Sequence, residues 1–204
     1  MNRCFIFGAL PVRSMTDLPD EGDYVIAADK GYDVALSLGL EPDLVVGDFD
    51  SRGMAPDVDN LVRLQIRKDD TDVGHAVGLG FEKGFSDFVV YGAVGGLLDH
   101  TFANIVIAHE IAEKGGRSLF IGDDYSFTVI RNGEINFPPR DGGRISVFAL
   151  GRAASGVTIE GLSYEAKDLT IPCTSHIGVS NSFVGKPARI AVGDGDLLVI
   201  RQNP

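Results

Sequence analysis

The chain has 204 residues, 44% of them apolar, which suffices for one large folded domain or two small ones and excludes a disordered polymer. Its 29 acidic against 18 basic residues leave a formal charge of −11, so neither a nucleic-acid backbone nor an anionic membrane is expected as its main partner. An anionic ligand would have to bring a cation with it.

In chain order, RCFIFGAL, DYVIAAD, DLVVGDFD, NLVRLQI, DFVVYGAV and SLFIGDD predict strands. Their apolar runs are continuous rather than alternating, the pattern of a parallel sheet covered on both faces. Between them GYDVALSLG, TDVGHAVGLGFEKG and DHTFANIVIAHEIAEKGG predict helices, the last stopped by Gly115 and Gly116. The opening MNRCFIFGAL lacks the apolar core and cleavage site of a secretory signal, and no apolar run reaches membrane-spanning length, so a cytoplasmic protein without a membrane partner is expected. Cys4 and Cys173 lie in unrelated segments and predict buried thiols rather than a disulfide or a zinc site.

After Asp124 the texture changes. SFTVIRNGEINF, GRISVFAL, GVTIEGL, KDLTI, HIGVSNSF and ARIAVGDGDLLVIR predict short strands, with a hairpin at Asn132-Gly133 and a turn at GDGD. The expected fold is therefore an α/β domain with a parallel, Rossmann-like sheet over residues 1–124, followed by an antiparallel β-sandwich over 125–204.

Ligands of parallel sheets bind at the carboxyl ends of the strands. There the sequence places Asp29, Asp48, Asp50, Asp70, Asp72 and Asp99. Any one of them reads as a turn former or helix cap, but six on one edge would repel one another unless a cation sat among them. Mg²⁺ takes carboxylate oxygens and substrate phosphates together, so an acid cluster joined to a phosphate chain through Mg²⁺ is the chemistry expected. The run YGAVGGLLDH brings Gly92, Gly95 and Gly96 from a strand into a helix, where backbone N–H groups approach phosphate oxygens closely. It matches neither GxxxxGK[ST] nor GxGxxG, which disfavours ordinary ATPases and dinucleotide dehydrogenases. Of the nearby cations Lys30, Arg52, Arg67 and Lys68, Lys68 is the one chosen for a phosphate contact. The four histidines show no ligand spacing, and a hydrolytic triad is not indicated; His109 reads as structural and His100 adjoins Asp99.

AADKGYDVALSLGLEPDLVVGDFDS, KDDTD, GAVGGLLDHTFANI and, far downstream, GVSNSF resemble the thiamine pyrophosphokinases in order and over most of the chain. The resemblance implies an α/β domain followed by a β-sandwich, and transfer of the pyrophosphoryl group of ATP to the hydroxyl of thiamine, giving thiamine diphosphate and AMP. It implies Mg²⁺ on Asp48, Asp50 and Asp72, with ATP touched by Asp29, Asp50, Ser51, Asp70, Thr71, Gly95 and Gly96. Asp72, Asp99 and Lys68 are then the catalytic set, and Asp99, Ser180 and Asn181 the thiamine contacts. A homodimer with the active site between subunits is also implied.

Four positions depart from the family pattern: Leu97 replaces an arginine, Lys30 a glycine, and Gly74 and Ser182 glutamates. With no tryptophan in the chain, Phe183 or Tyr164 is the expected stacking ring for the pyrimidine. Leu97 and Ser182 leave open a related phosphoryl transferase acting on another small alcohol. A non-catalytic nucleotide-binding homologue is the third reading, against which Asp72 and Asp99 both stand intact.

Overall fold

A computed structural model of the chain describes residues 2–49, 58–64 and 70–203. Packing divides it into two compact units, Met1–Ile107 with Ser118–Asp123 and Ala108–Arg117 with Asp124–Pro204.

The first unit carries strands β1 (Cys4–Phe7), β2 (Tyr24–Ala28), β3 (Leu44–Gly47), β4 (Leu61–Arg63), β5 (Asp87–Tyr91) and β6 (Arg117–Ile121). Helix α1 is Gly31–Ser37, α2 is Asp72–Glu82, and α3, Leu98–Glu113, passes from this unit into the other. Strand order is β4-β3-β2-β1-β5-β6, and every pairing from β4 to β5 is parallel. The continuous apolar runs follow from burial on both faces. Phe5, Phe7, Val89 and Tyr91 pack with Ala35 of α1, while Gly80 of α2 lies against Phe88 and Cys4. A Cβ on Gly80 would come within 2.5 Å of the Phe88 ring, so the absence of a side chain lets the helix settle on the sheet. Burial pushes the Cys4 thiol up to about 12, leaving it a small apolar filler; Cys173, expected to be buried, is exposed.

Helix starts and stops have local causes. Thr71 caps α2, its Oγ1 accepting from Gly74 N–H at 3.0 Å. Gly115, left-handed at φ 78°, ends α3, with Gly116 N–H returning to Ile111 O at 2.9 Å.

The second unit is antiparallel throughout: β7 (Tyr125–Arg131), β8 (Glu134–Phe137), β9 (Asp141–Glu160), β10 (Ala166–Ile171), β11 (Asn181–Val184), β12 (Ala188–Ala191) and β13 (Asp194–Gln202). One sheet runs β7-β13-β9-β11 and the other β8-β12-β9-β10. Between them lies a core that includes Ile145, Val147, Val157, Phe183, Ile190 and Leu197.

Two sequence expectations are corrected here. GRISVFAL and GVTIEGL are not separate strands but one 20-residue β9, which serves both sheets and passes left-handed glycines at 151 and 156, each at φ 65°. Asn132-Gly133 does not close a hairpin, because β7 pairs with β13 and β8 with β12. Asn132 instead steps the chain from one sheet to the other, and its Oδ1 accepts from Gly195 N–H at 2.9 Å at the return step. His109 has a structural setting in this unit: its Nε2 lies 3.2 Å from the buried Asp196, which Arg131 also holds at 3.2 Å.

Two glycines of the first unit separate steric need from helix propensity. A Cβ on Gly31 would overlap the Phe7 carbonyl oxygen, whereas one on Gly78, inside α2, meets nothing within 4 Å. Gly31→Ala should therefore lower unfolding free energy by roughly 2 kcal/mol or more, and Gly78→Ala should raise it by about 0.5–1 kcal/mol. Urea denaturation of both variants checks this, and equal effects would contradict the packing at Gly31.

Candidate active site

In the strand order of the first unit, β1 is followed in sequence by β2 on one side and flanked by β5 on the other. The carboxyl ends of β1 and β5 thus form a topological switch point, where a crevice opens in parallel sheets. A cavity of about 500 Å³ lies there. Its lining comes from the segments leaving three strands and from the start of α2: Gly8 to Leu10 after β1, Asp29 and Lys30 after β2, Gly92 and Ala93 after β5, and Thr71 to Val73.

Glycine makes the crevice possible. A Cβ on Gly8 would sit 2.6 Å from Gly92 O, and one on Gly92 2.5 Å from Gly8 O. The two backbones touch, joined by Gly8 N–H to Tyr91 O at 2.8 Å and Leu10 N–H to Gly92 O at 2.9 Å. Beyond Gly92 the loop turns through Gly95 and Gly96 at φ 105° and 64°. Thr101 of α3 pins it, since its Oγ1 accepts from Gly95 N–H at 3.1 Å and donates to Gly95 O at 3.0 Å.

Asp29 follows β2 directly and Asp48 follows β3, so adjacent parallel strands deliver both carboxylates to one edge. Asp29 is buried and left-handed at φ 50°, its N–H bonded to Val46 O at 2.7 Å. Phe49, between Asp48 and Asp50, is also left-handed at φ 58° and sits in the apolar cluster with Val45 and Tyr32. Such backbone costs about 1–3 kcal/mol for a residue with a side chain and persists where surrounding packing enforces it. Asp70 folds back on the start of α2, its Oδ1 accepting from Thr71 N–H at 2.7 Å. There it lies so close to Gly74 that a side chain at 74 would displace it.

Asp29, Thr71 and Asp72 therefore line one cavity with the glycine loop, while Asp48 is half-buried beside it in sequence and Asp70 is exposed. Asp99, in the first turn of α3, is exposed and does not line the cavity; its Oδ1 accepts from His100 N–H at 2.9 Å, and His100 and Leu97 are the residues of that turn that do. Asp50, Ser51 and Lys68, with Arg52 and Arg67, lie outside the described residues. Among the described residues no three acidic, histidine or cysteine side chains are grouped closely enough to hold a metal by themselves.

Asn104 was not singled out by sequence reasoning. Buried on α3, it donates from Nδ2 to Ala93 O at 2.6 Å and lines the cavity. The signal available was an amide within the otherwise apolar run FANIVIA.

The second unit has its own cavity, of about 280 Å³, walled by aliphatic residues such as Ile145, Ile159, Leu169 and Ile177, with Tyr164, Glu165 and Asn181 as its polar lining. Asn181 is buried and spends its amide on the main chain. Its Oδ1 accepts from Tyr164 N–H at 2.9 Å and from Ser182 N–H at 2.9 Å, and its Nδ2 donates to Tyr164 O at 2.6 Å. Its action on the cavity is thus to fix Tyr164. Ser180, left-handed at φ 62°, is exposed and outside the lining. Of the two candidate stacking rings, Phe183 is 3% exposed and packs edge-on against Phe137, so it belongs to the core. Tyr164 is 73% exposed on the cavity lip.

Comparison with known proteins agrees with both units. A model of the thiamin pyrophosphokinase catalytic domain matches residues 15–120, and one of the thiamin pyrophosphokinase vitamin B1 binding domain matches residues 133–197. The thiamine pyrophosphokinase of Bacillus subtilis (strain 168) is 25% identical over 199 residues, spanning 94% of this chain and 93% of that protein. The crystal structure of thiamine pyrophosphokinase from Bacillus subtilis aligns with a TM-score of 0.86 at 24% identity over 99% of both chains. Thiamin pyrophosphokinase from Candida albicans aligns at 0.78 and 17% identity, over 100% of this chain and 89% of that one. With both domain models matched in sequence order and the α/β plus β fold shared, the chain belongs to the thiamin pyrophosphokinase family.

Proposed function

We propose that this chain transfers the β,γ-pyrophosphoryl group of ATP to the hydroxyl of thiamine, with the nucleotide in the first-unit cavity and thiamine recognised by the second unit. A bond forms between the thiamine hydroxyl oxygen and the β-phosphorus, the bond from that phosphorus to the α,β-bridging oxygen breaks, and AMP leaves. The observation that carries the reading is the pairing of the two matched domain models with a glycine-floored cavity bearing Asp29 and Asp72.

The donors suit Mg²⁺, which takes one or two carboxylates and completes its shell with water and substrate phosphates. Asp72, with Asp48 and Asp50, would hold it, and when bound it offsets the charge of the transferring group. Around it Asp29, Asp70, Thr71, Gly95 and Gly96 orient the phosphate chain, with Ser51 and Lys68 as further contacts. Asp99 orients the thiamine hydroxyl and accepts its proton late, since a loose phosphoryl-type transition state needs little prior deprotonation. In the second unit Tyr164 offers the face for the pyrimidine, Asn181 fixes it, and Ser180 stands at the same turn.

A homodimer completes the reading, in a cytoplasmic protein. Helix α3 exposes Leu98, Phe102 and Val106, at 83%, 65% and 53%, on one stripe at four-residue spacing, and the second unit exposes Tyr164, Ile177 and Val179. We assign these as mating surfaces of two copies, which would bring one copy's cavity beside the other copy's Tyr164.

Incubation with ATP, Mg²⁺ and thiamine should give AMP and thiamine diphosphate in equal amounts, and ADP as the product would refute the reaction. Asp72→Asn should lower turnover by orders of magnitude with the fold intact; full turnover would remove Asp72 from the site. Asn181→Ala leaves the Tyr164 N–H and C=O unmatched, so stability should drop by about 1–3 kcal/mol and the KM for thiamine should rise more than that for ATP. The reverse ranking of KM values would argue against a vitamin pocket in the second unit. Phe102→Asp should convert the dimer to monomers in analytical ultracentrifugation and abolish turnover; an unchanged dimer would place the interface elsewhere.

A further inference from the structure

We propose that Lys30 is the side chain with which this chain holds the phosphate chain of its nucleotide, a role that rests on the ATP-dependent transfer proposed above. Among the described residues it is the one lysine or arginine lining the first-unit cavity, which it shares with Asp29, Thr71, Asp72, Leu97 and His100. No described hydrogen bond or ion pair engages its ammonium group. An ammonium group that lines the same cavity as two carboxylates, yet is bonded to neither, is available to an incoming anion.

Its position is fixed from the backbone. Asp29, left-handed at φ 50°, turns the chain out of β2, and the Lys30 carbonyl then accepts from Asp33 N–H at 3.1 Å and from Val34 N–H at 3.3 Å at the start of α1. Gly31, which no other residue could replace without meeting Phe7 O, keeps that turn seated on the end of β1. The stem of Lys30 therefore starts from a rigid point on the cavity wall, and its flexible side chain supplies the reach.

Charge accounting favours the same residue. The cavity presents two carboxylates, and its glycine loop contributes N–H dipoles but an apolar side chain at Leu97. A polyphosphate entering between Asp29 and Asp72 meets repulsion that dipoles alone offset poorly, so a full positive charge on the wall changes affinity directly. Leu97 lines the same cavity, so a cation placed there should substitute for one lost at 30.

The test uses the full chain, with inorganic tripolyphosphate and Mg²⁺ as the probe in titration calorimetry. Lys30→Met should weaken tripolyphosphate binding about tenfold, which is about 1.4 kcal/mol, and should flatten its dependence on salt. Lys30→Arg should retain the affinity, and adding Leu97→Arg to Lys30→Met should recover most of the loss. In turnover assays the KM for ATP should rise while that for thiamine stays constant, a split that a folding defect would not produce. Unaltered tripolyphosphate affinity in Lys30→Met overturns the assignment whether or not the wild-type chain forms AMP, and so does failure of Leu97→Arg to recover any affinity. Lys30-dependent tripolyphosphate binding by a wild-type chain that forms no AMP would instead remove the transfer reaction and leave the anion site standing.

Discussion

Two backbones that touch where side chains would forbid it govern this site. At the ends of β1 and β5, Gly8 and Gly92 approach so closely that a Cβ on either would collide with the other's carbonyl oxygen. Parallel strands fan apart at their carboxyl ends where the order switches, and the gap would ordinarily fill with side chains. Here the two strand ends meet main chain to main chain, which leaves room for a cavity beside them. Asp29 after β2, the glycine loop before α3 and the first turn of α2 all line the cavity beside that contact.

Left-handed residues mark where this arrangement is under load. Asp29 and Phe49 on the strand ends and Ser180 before β11 carry side chains in a backbone region that glycine tolerates far better. Each is enforced locally: Asp29 by its bond to Val46 O, Phe49 by burial with Val45, and Ser180 by its N–H bond to Ser146 Oγ at 3.0 Å. Strain of this kind clusters where function fixes a side chain's direction at the expense of stability. Asp29 lines the cavity, Phe49 separates Asp48 from Asp50, and Ser180 precedes the amide that clamps Tyr164, so all three abut groups assigned chemistry here.

Much of the first unit was legible because its signals are local. A strand buried on both faces must be apolar at every position, and CFIF, VIAA and FVVY satisfy that without reference to anything distant. The second unit was less legible, since whether two β-prone runs pair depends on the partner strand. Asn132-Gly133 has the chemistry of a hairpin, yet Asn132 at φ 45° turns the chain into a different sheet because β13 and β12 already occupy the neighbouring places. The length of β9 was hidden for the same reason: the glycines that read as ends are bends in a strand that continues. At the site, residue types announced carboxylates and glycines, but what a polar side chain spends its hydrogen bonds on is a matter of geometry. Asn181 read as a ligand contact and is engaged by the main chain of Tyr164, Phe183 read as a stacking ring and lies in the core, and Asn104 was invisible inside an apolar helix.

An acidic protein that is to hold an anionic co-substrate, as proposed above, must localise positive charge rather than spread it. Of the first unit's described cations, Arg3 is committed to Asp17 and Asp23, and Arg13 to Asp123. Those pairs tie loops to the sheet and neither arginine lines the cavity, whereas Lys30 lines it uncommitted. Diffuse repulsion from a net charge of −11 then acts as a filter, weakening casual binding of polyanions over the surface while leaving the cavity, where one ammonium and a glycine loop coincide, as the place where a phosphate chain is least opposed. On this argument the apolar Leu97 costs the site little, because an ammonium group anchored at the start of α1 lines the same cavity.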